Sequence, residues 1–156
     1  MKKGRDGASW QRDLREDLRH LQDHHGVGVL VCLLNLSELR HLGIADLEKV
    51  AAKEGLPLVQ YPIIEMAAPE DMDTAADLID KLCNEYREGR NVVLHCRGGV
   101  GRAGTVAACC LLQLEVAASP KEAIAIVRRR RCSNAIESRT QEAFVDAFAA
   151  QHSRAT

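Results

Sequence analysis

Val92-Val93-Leu94-His95-Cys96-Arg97-Gly98-Gly99-Val100-Gly101-Arg102 decides the fold class of this chain. A short apolar strand feeds a glycine-rich loop, and an apolar helical run from Gly104 to Leu114 follows. Strand, tight loop and helix in that order make the unit of an α/β fold. The loop is also suited to hold an anion. Its successive backbone N–H groups can turn inward, and the helix N-terminus adds partial positive charge. A cysteine opens the loop and an arginine closes it.

Upstream, Trp10, Leu14, Leu18 and Leu21 recur at helical spacing, and Gly26 is a stop. Val27 to Leu34 is a nearly unbroken apolar run, as in a strand buried on both faces. Ser37 is a candidate cap for a short helix, and Ala45 to Glu54 reads as a helix closed by Gly55. Leu58 to Ile64 is a second strand and Ala67 to Asp73 a loop. Helical spacing resumes from Thr74, where Leu78, Ile79, Leu82, Cys83 and Tyr86 share a face ended by Gly89.

Downstream, Ser119-Pro120-Lys121-Glu122 has the cap, first-turn proline and glutamate of a helix start. A last helix from about Ser138 places Phe144, Val145 and Phe148 together. The alternation predicts an α/β fold: a central, mainly parallel sheet flanked by helices. The 156 residues suit one domain over 10–152, after a flexible lead-in over 1–9.

A net charge of -1 gives no global field toward nucleic acid or membrane, so neither is expected as a partner. The N-terminus is charged from Lys2 to Arg19, unlike a signal peptide, and no apolar run reaches membrane-spanning length. The six cysteines are therefore expected as free thiols in a reducing cytoplasm. Cys32, Cys83, Cys109 and Cys110 read as small buried hydrophobes, and Cys132 as a surface thiol. His24-His25 lacks companions at zinc spacing and reads as a solvated helix end, so no metal is expected. Arg128 to Arg131 reads as a solvated helix end that complements the helix dipole.

Among the cysteines, only Cys96 has an arginine six positions on. Each residue type in the loop has a chemical reason. Inward N–H donors and a guanidinium hold negative charge on sulfur or on a phosphate alike. The planar fork of Arg102 grips two phosphate oxygens, a geometry lysine lacks. The loop has neither the Gly-Lys-Ser/Thr ending of a P-loop nor dinucleotide-fingerprint spacing.

His95 to Arg102 resembles the His-Cys-x5-Arg signature of the protein tyrosine phosphatase superfamily. The short chain is similar to its dual-specificity branch, and within it to cyclin-dependent-kinase-associated phosphatases and their bacterial relatives. The stretches that carry this are Trp10-Gln11-Arg12-Asp13-Leu14, Tyr61-Pro62-Ile63, His95 to Ala108, and Asn134-Ala135-Ile136-Glu137-Ser138 through Gln141.

The resemblance implies a single phosphatase domain over 10–152, a phosphomonoesterase working through a cysteinyl-phosphate with no cofactor. Cys96 would be the nucleophile and Arg102 the phosphate clamp. Arg97, Gly98, Gly99, Val100, Gly101 and Arg102 would cradle the phosphate, and His95 would support the cysteine. The general acid would fall at Glu65, after Pro62-Ile63-Ile64, where the family usually has aspartate; Glu70 and Asp71 are reserves. Ala103 stands where the family usually has Ser or Thr. Glu137 replaces one glutamine that positions water in some relatives, and Gln141 matches another.

The implied partner is a phosphorylated protein, through phosphotyrosine and also phosphoserine or phosphothreonine. Other readings keep the loop and change the use: a phospho-binding module with little turnover, or a phosphoinositide or RNA 5′-phosphatase. Rhodanese and arsenate reductase types also use cysteine loops, but small arsenate reductases carry the cysteine near the N-terminus. The family often has another strand before the first helix, so a shortened version is expected.

Overall fold

The apolar run at Val27 makes the central strand of a three-stranded parallel sheet. In the computed structural model, residues 2–3, 9–10 and 13–152 are described. Twelve elements follow in order: β1 (Lys2–Lys3), β2 (Ser9–Trp10), α1 (Leu14–His25), β3 (Val27–Cys32), α2 (Leu36–His41), α3 (Leu47–Lys53), β4 (Leu58–Gln60), α4 (Met72–Arg87), β5 (Asn91–His95), α5 (Gly101–Gln113), α6 (Pro120–Arg130) and α7 (Arg139–His152). The sheet order is β4-β3-β5, while β1 and β2 form a separate antiparallel pair. Val31 and Cys32 on β3 are fully buried.

One face of the sheet carries α1, α2 and α3 over Leu18, Leu30, Cys32, Leu39 and Leu47. The other carries α4 and α5 over Val29, Val31, Leu78, Leu82 and Val106. A further core joins α5 to α6 and α7 through Cys109, Ala123, Ile136, Val145 and Phe148. Because the strands are parallel, their C-terminal ends share one edge, where open α/β sheets place ligands. Segments 33–35, 61–71 and 96–100 all leave the sheet there.

Several local expectations are corrected. Trp10 lies in β2, not on the first helix: the Asp13 carboxylate accepts the N–H groups of Arg15 and Glu16, so α1 starts after it. Asn35, not Ser37, caps α2, in a full capping box with Glu38. β4 ends at Gln60 because Pro62 cannot donate to a ladder. The pairing direction still persists, as the N–H groups of Tyr61 and Ile63 reach the carbonyls of Cys32 and Leu33. Asp73 belongs to α4, which Asp71 caps. Tyr86 is 58% exposed and leaves the buried face of α4. Of the lead-in over 1–9, positions 1 and 4–8 lie outside the described residues, while Lys2–Lys3 and Ser9 belong to the β1–β2 pair. No helix among the described residues is long and apolar enough to cross a membrane. All six cysteines are free thiols.

Candidate active site

β5 ends at His95, whose carbonyl accepts the Leu33 N–H at 2.9 Å and ties the strand end to the sheet. Cys96 follows at once, half-buried between the apolar clusters on the two sheet faces. The chain then turns on Gly99, whose φ of +62° is a left-handed value that favours glycine. That turn directs the Gly99 N–H back to the Cys96 Sγ at 3.2 Å. α5 begins at Gly101 with no side chain capping its N-terminus, so its first N–H groups are left to an anion.

The outer side of this loop is held by its carbonyls. Arg131, at the end of α6, donates to the Gly99 carbonyl at 2.9 Å and to the Gly98 carbonyl at 3.2 Å. The Val100 carbonyl accepts the Ile136 N–H at 3.3 Å. With carbonyls fastened outward, the loop N–H groups face the interior of the turn. Arg128 likewise donates to the carbonyls of Ala135 and Ile136 and pairs with Glu142. The arginine run is therefore not simply a solvated helix end. Two of its members reach carbonyls that the end of α6 and the following turn bring close.

Arg102 is only 3% exposed. Its Nη1 donates to Glu38 Oε2 at 2.9 Å and to the Ile63 carbonyl at 2.8 Å, and its Nη2 to Glu38 Oε1 at 2.8 Å. A longer contact of 3.4 Å reaches the Leu33 carbonyl. Burial works against an ionised Glu38. The Arg102 guanidinium and the Asn35 N–H outweigh it and hold the carboxyl below its ordinary range. Burial likewise opposes the Arg102 charge, and the Glu38 carboxylate overcomes it and raises the guanidinium. The result is a fixed fork in line with the cysteine loop.

Glu65 sits on the loop after β4, 56% exposed, with its Oε2 3.7 Å from Arg97 Nη1. Of the two reserves, Glu70 is exposed in the same loop. The Asp71 carboxylate accepts the Thr74 N–H at 2.7 Å, and that backbone bond holds it below its ordinary range. A carboxyl kept ionised by its capping role is poorly suited to donate a proton.

Gln141 is fully buried behind the cysteine loop, against Gly101. Its Oε1 accepts the N–H groups of Glu137 and Ser138, and its Nε2 donates to the Ala67 carbonyl at 3.1 Å. The Ser138 hydroxyl donates to the Met66 carbonyl at 2.8 Å. The start of α7 thus fastens the loop that carries Glu65, where Met66 takes a left-handed φ of 64°. The Glu137 carboxylate lies against Gly101, and a Cβ there would stand 2.5 Å from its Oε2. A side chain at Gly101 would have to push the Glu137 carboxylate aside.

Cys96, Arg97, Gly98, Gly99, Val100, Gly101 and Arg102 thus form one turn, with Glu65 across its mouth and Gln141 behind it. Sequence reasoning missed Glu38 and Arg131. The Asn35-x-x-Glu38 spacing directly after a buried strand was the available signal for the first. A buried arginine in the loop also demands an acid that local sequence does not supply.

Residues 6–145 fit the family model described as "PTP-SAK: Swiss Army Knife protein, DSP-PTPase phosphatase domain". The chain belongs to the dual-specificity branch of the protein tyrosine phosphatases. Cyclin-dependent kinase inhibitor 3 of Rattus norvegicus is 28% identical over 138 residues, 88% of this chain. The human protein of that name matches equally well, and the chain spans 64% of the length of either. Kinase associated phosphatase, solved with a serine replacing its catalytic-site cysteine, superposes with a TM-score of 0.84 at 26% identity. It covers 92% of this chain and 80% of the other. The active form of Tk-PTP gives 0.72 at 27% identity, covering 92% and 88%. PTPMT1 in complex with PI(5)P gives 0.78 at 21% identity, covering 92% and 90%, a likeness of fold.

Proposed function

We propose that this phosphatase-family domain hydrolyses phosphate monoesters on proteins through a cysteinyl-phosphate at Cys96. The observation that carries the reading is the Cys96 thiol beneath the Gly99 N–H, with Arg102 aligned by Glu38. The Cys96 thiolate attacks phosphorus, the S–P bond forms and the ester P–O bond breaks. The leaving oxygen takes a proton from the Glu65 carboxyl. Water then attacks phosphorus and gives its proton to the Glu65 carboxylate. The S–P bond breaks, releasing inorganic phosphate and the thiolate. Arg102 and the loop N–H groups hold the equatorial oxygens through both steps.

The substrate class is phosphotyrosine, with phosphoserine and phosphothreonine, on a protein partner in a reducing cytoplasm. Similarity to kinase associated phosphatase and to cyclin-dependent kinase inhibitor 3 supports a protein substrate. One observation favours a second reading, a phosphoinositide. Arg97 stands exposed at the mouth, where it could meet a second phosphate.

Hydrolysis of p-nitrophenyl phosphate, phosphotyrosyl and phosphothreonyl peptides and a soluble phosphoinositide, each with vanadate, tests this. The peptides should turn over faster than the phosphoinositide. Cys96→Ser should abolish turnover while still binding a phosphopeptide, because the loop donors survive. Full activity of Cys96→Ser would end the nucleophile assignment, and faster phosphoinositide cleavage would reverse the substrate class.

A further inference from the structure

The Glu65 carboxylate is placed by its backbone. Its side chain is 56% exposed and meets Arg97 at 3.7 Å, a solvent-screened contact too weak to fix a carboxyl. The backbone there is a tight turn. The Ile64 carbonyl accepts the Ala67 N–H at 3.0 Å, and Glu65 and Met66 are the central pair. Met66 is the third residue of that turn, with a φ of 64°. Turns with a left-handed third residue ordinarily take glycine there. A side chain in that region persists only where its surroundings over-determine it.

Two sets of bonds do so. Upstream, the Ile63 N–H reaches the Leu33 carbonyl at 3.1 Å, and the Ile63 carbonyl accepts Arg102 Nη1 at 2.8 Å. The turn is thereby registered on the sheet and on the arginine. Downstream, two successive carbonyls are fastened to the start of α7. That of Met66 accepts the Ser138 hydroxyl at 2.8 Å, and that of Ala67 accepts Gln141 Nε2 at 3.1 Å. The Ser138 Oγ also accepts the Gln141 N–H at 3.2 Å, as a capping hydroxyl does. Its oxygen is engaged by the helix, which leaves its proton for Met66.

We infer that Ser138 is a positioning residue for the proton transfer: its hydroxyl holds the left-handed turn that presents Glu65 to the leaving oxygen. The inference rests on Glu65 as the acid of the proposed reaction. Without the Ser138 donor, Met66 relaxes toward the ordinary backbone region and swings the residue before it. Arg102, the cysteine loop and the upstream anchor stay where they are. The loss therefore falls on the step that needs a proton and not on phosphate binding or sulfur attack. Gln141 holds the neighbouring carbonyl, but it is fully buried and serves several bonds. Ser138 is the member of the clamp whose change separates acid placement from the core.

Turnover of benzyl phosphate, a poor leaving group, against p-nitrophenyl phosphate, a good one, tests this. Ser138→Ala should lower kcat on benzyl phosphate by about tenfold and on p-nitrophenyl phosphate by less than about twofold. Ser138→Asp keeps a capping oxygen without a proton to donate, so it should show the same contrast with an unchanged thermal midpoint. It carries the test if the alanine variant folds poorly. Ser138→Thr keeps cap and donor and should restore turnover to within about threefold of wild type. In a Glu65→Gln background, Ser138→Ala should cost less than about a further twofold, because both act through one carboxyl. Equal slowing of both substrates by the alanine and aspartate variants would make Ser138 merely structural and overturn the inference. So would a full second loss in the Glu65→Gln background, or a threonine variant as slow as alanine. If Glu65→Gln itself shows no contrast between the substrates, the acid assignment fails and takes this inference with it. A contrast in Glu65→Gln but none in the Ser138 variants sinks the positioning role alone.

Discussion

Two arginine–glutamate pairs flank the Cys96 loop, and they differ in nearly every physical respect. Arg102 and Glu38 meet through two bonds of 2.8 and 2.9 Å, with side chains 3% and 17% exposed. Arg97 and Glu65 approach only to 3.7 Å and are 55% and 56% exposed. The inner pair has given up water and cannot loosen without leaving a charge buried. The outer pair is screened by solvent, contributes about 0–1 kcal/mol, and can exchange partners. One charge pattern thus serves as a fixed frame within the sheet edge and as a replaceable contact at its mouth. A phosphate needs the first to be aligned before it arrives. In the proposed reaction a proton donor would gain from the second, because Glu65 would have to be free to meet the leaving oxygen.

The sharpest way to break the comparison is to make the same substitution in both pairs. Arg102→Lys cannot keep two bonds to Glu38 and grip two phosphate oxygens, so kcat on p-nitrophenyl phosphate should fall on the order of 10³-fold. Arg97→Lys should change it by less than about threefold, as for a solvated cation. Comparable losses in both would mean that the outer pair is also part of the frame.

The next largest effect belongs to Glu65. Glu65→Gln should slow alkyl phosphates by about 10²-fold or more and leave aryl phosphates with acidic phenols nearly untouched. An acidic phenol departs without a proton. Should Glu70→Gln show that contrast and Glu65→Gln not, the acid is one turn of chain further on. Asp71→Ala should instead act through its capping role, lowering the thermal unfolding midpoint with no leaving-group dependence.

How much of this was legible in the sequence follows from where the determinants lie. Cys96 to Arg102 is contiguous, so the strand, the loop and the helix announce one another. The parallel sheet was readable because β3 is buried on both faces and must be apolar throughout. Glu38 lies 64 residues from Arg102 and was not readable as its partner. On a six-residue helix its only local signal is a capping box. Arg131 looked like a solvated charge because nothing local says that Gly98 and Gly99 curl beneath it. Trp10 matched helical spacing with Leu14, yet the Asp13 cap decided where α1 begins. Local chemistry sets boundaries that periodicity alone overruns.

The inner pair carries a pH signature. The folded-state pKa of Glu38 is depressed, so its contribution is fully present above the ordinary carboxylate value of about 4.3. It is lost as pH falls through the lower, folded value. Glu38→Ala should cost about 3 kcal/mol at neutral pH, at the low end for one partner of a buried pair. Misalignment of Arg102 should lower kcat by about tenfold. The stability gap between wild type and variant should stay constant from pH 7 to about 4.5 and narrow below that, in urea melts at each pH. A gap that widens toward acid would mean that Glu38 is protonated in the folded state.

The smallest effect expected concerns Ala103, 6% exposed on α5 directly after Arg102. It separates formation of the phosphoenzyme from its breakdown. In the proposed reaction, attack of water on the cysteinyl-phosphate would return charge to the Cys96 sulfur, and a neighbouring hydroxyl would stabilise it there. Alanine supplies none, so breakdown should limit the rate. A fast aryl phosphate should then release a burst of phenol close to one equivalent of enzyme. Ala103→Ser should raise the steady rate by about threefold, under 1 kcal/mol, and shrink the burst. The gain is small because the Gly99 N–H already reaches the sulfur at 3.2 Å. A serine variant no faster than wild type, together with no burst in either protein, would show that the loop donor alone carries the leaving thiolate. Attack on the substrate, aligned by the inner pair, would then be the slow step.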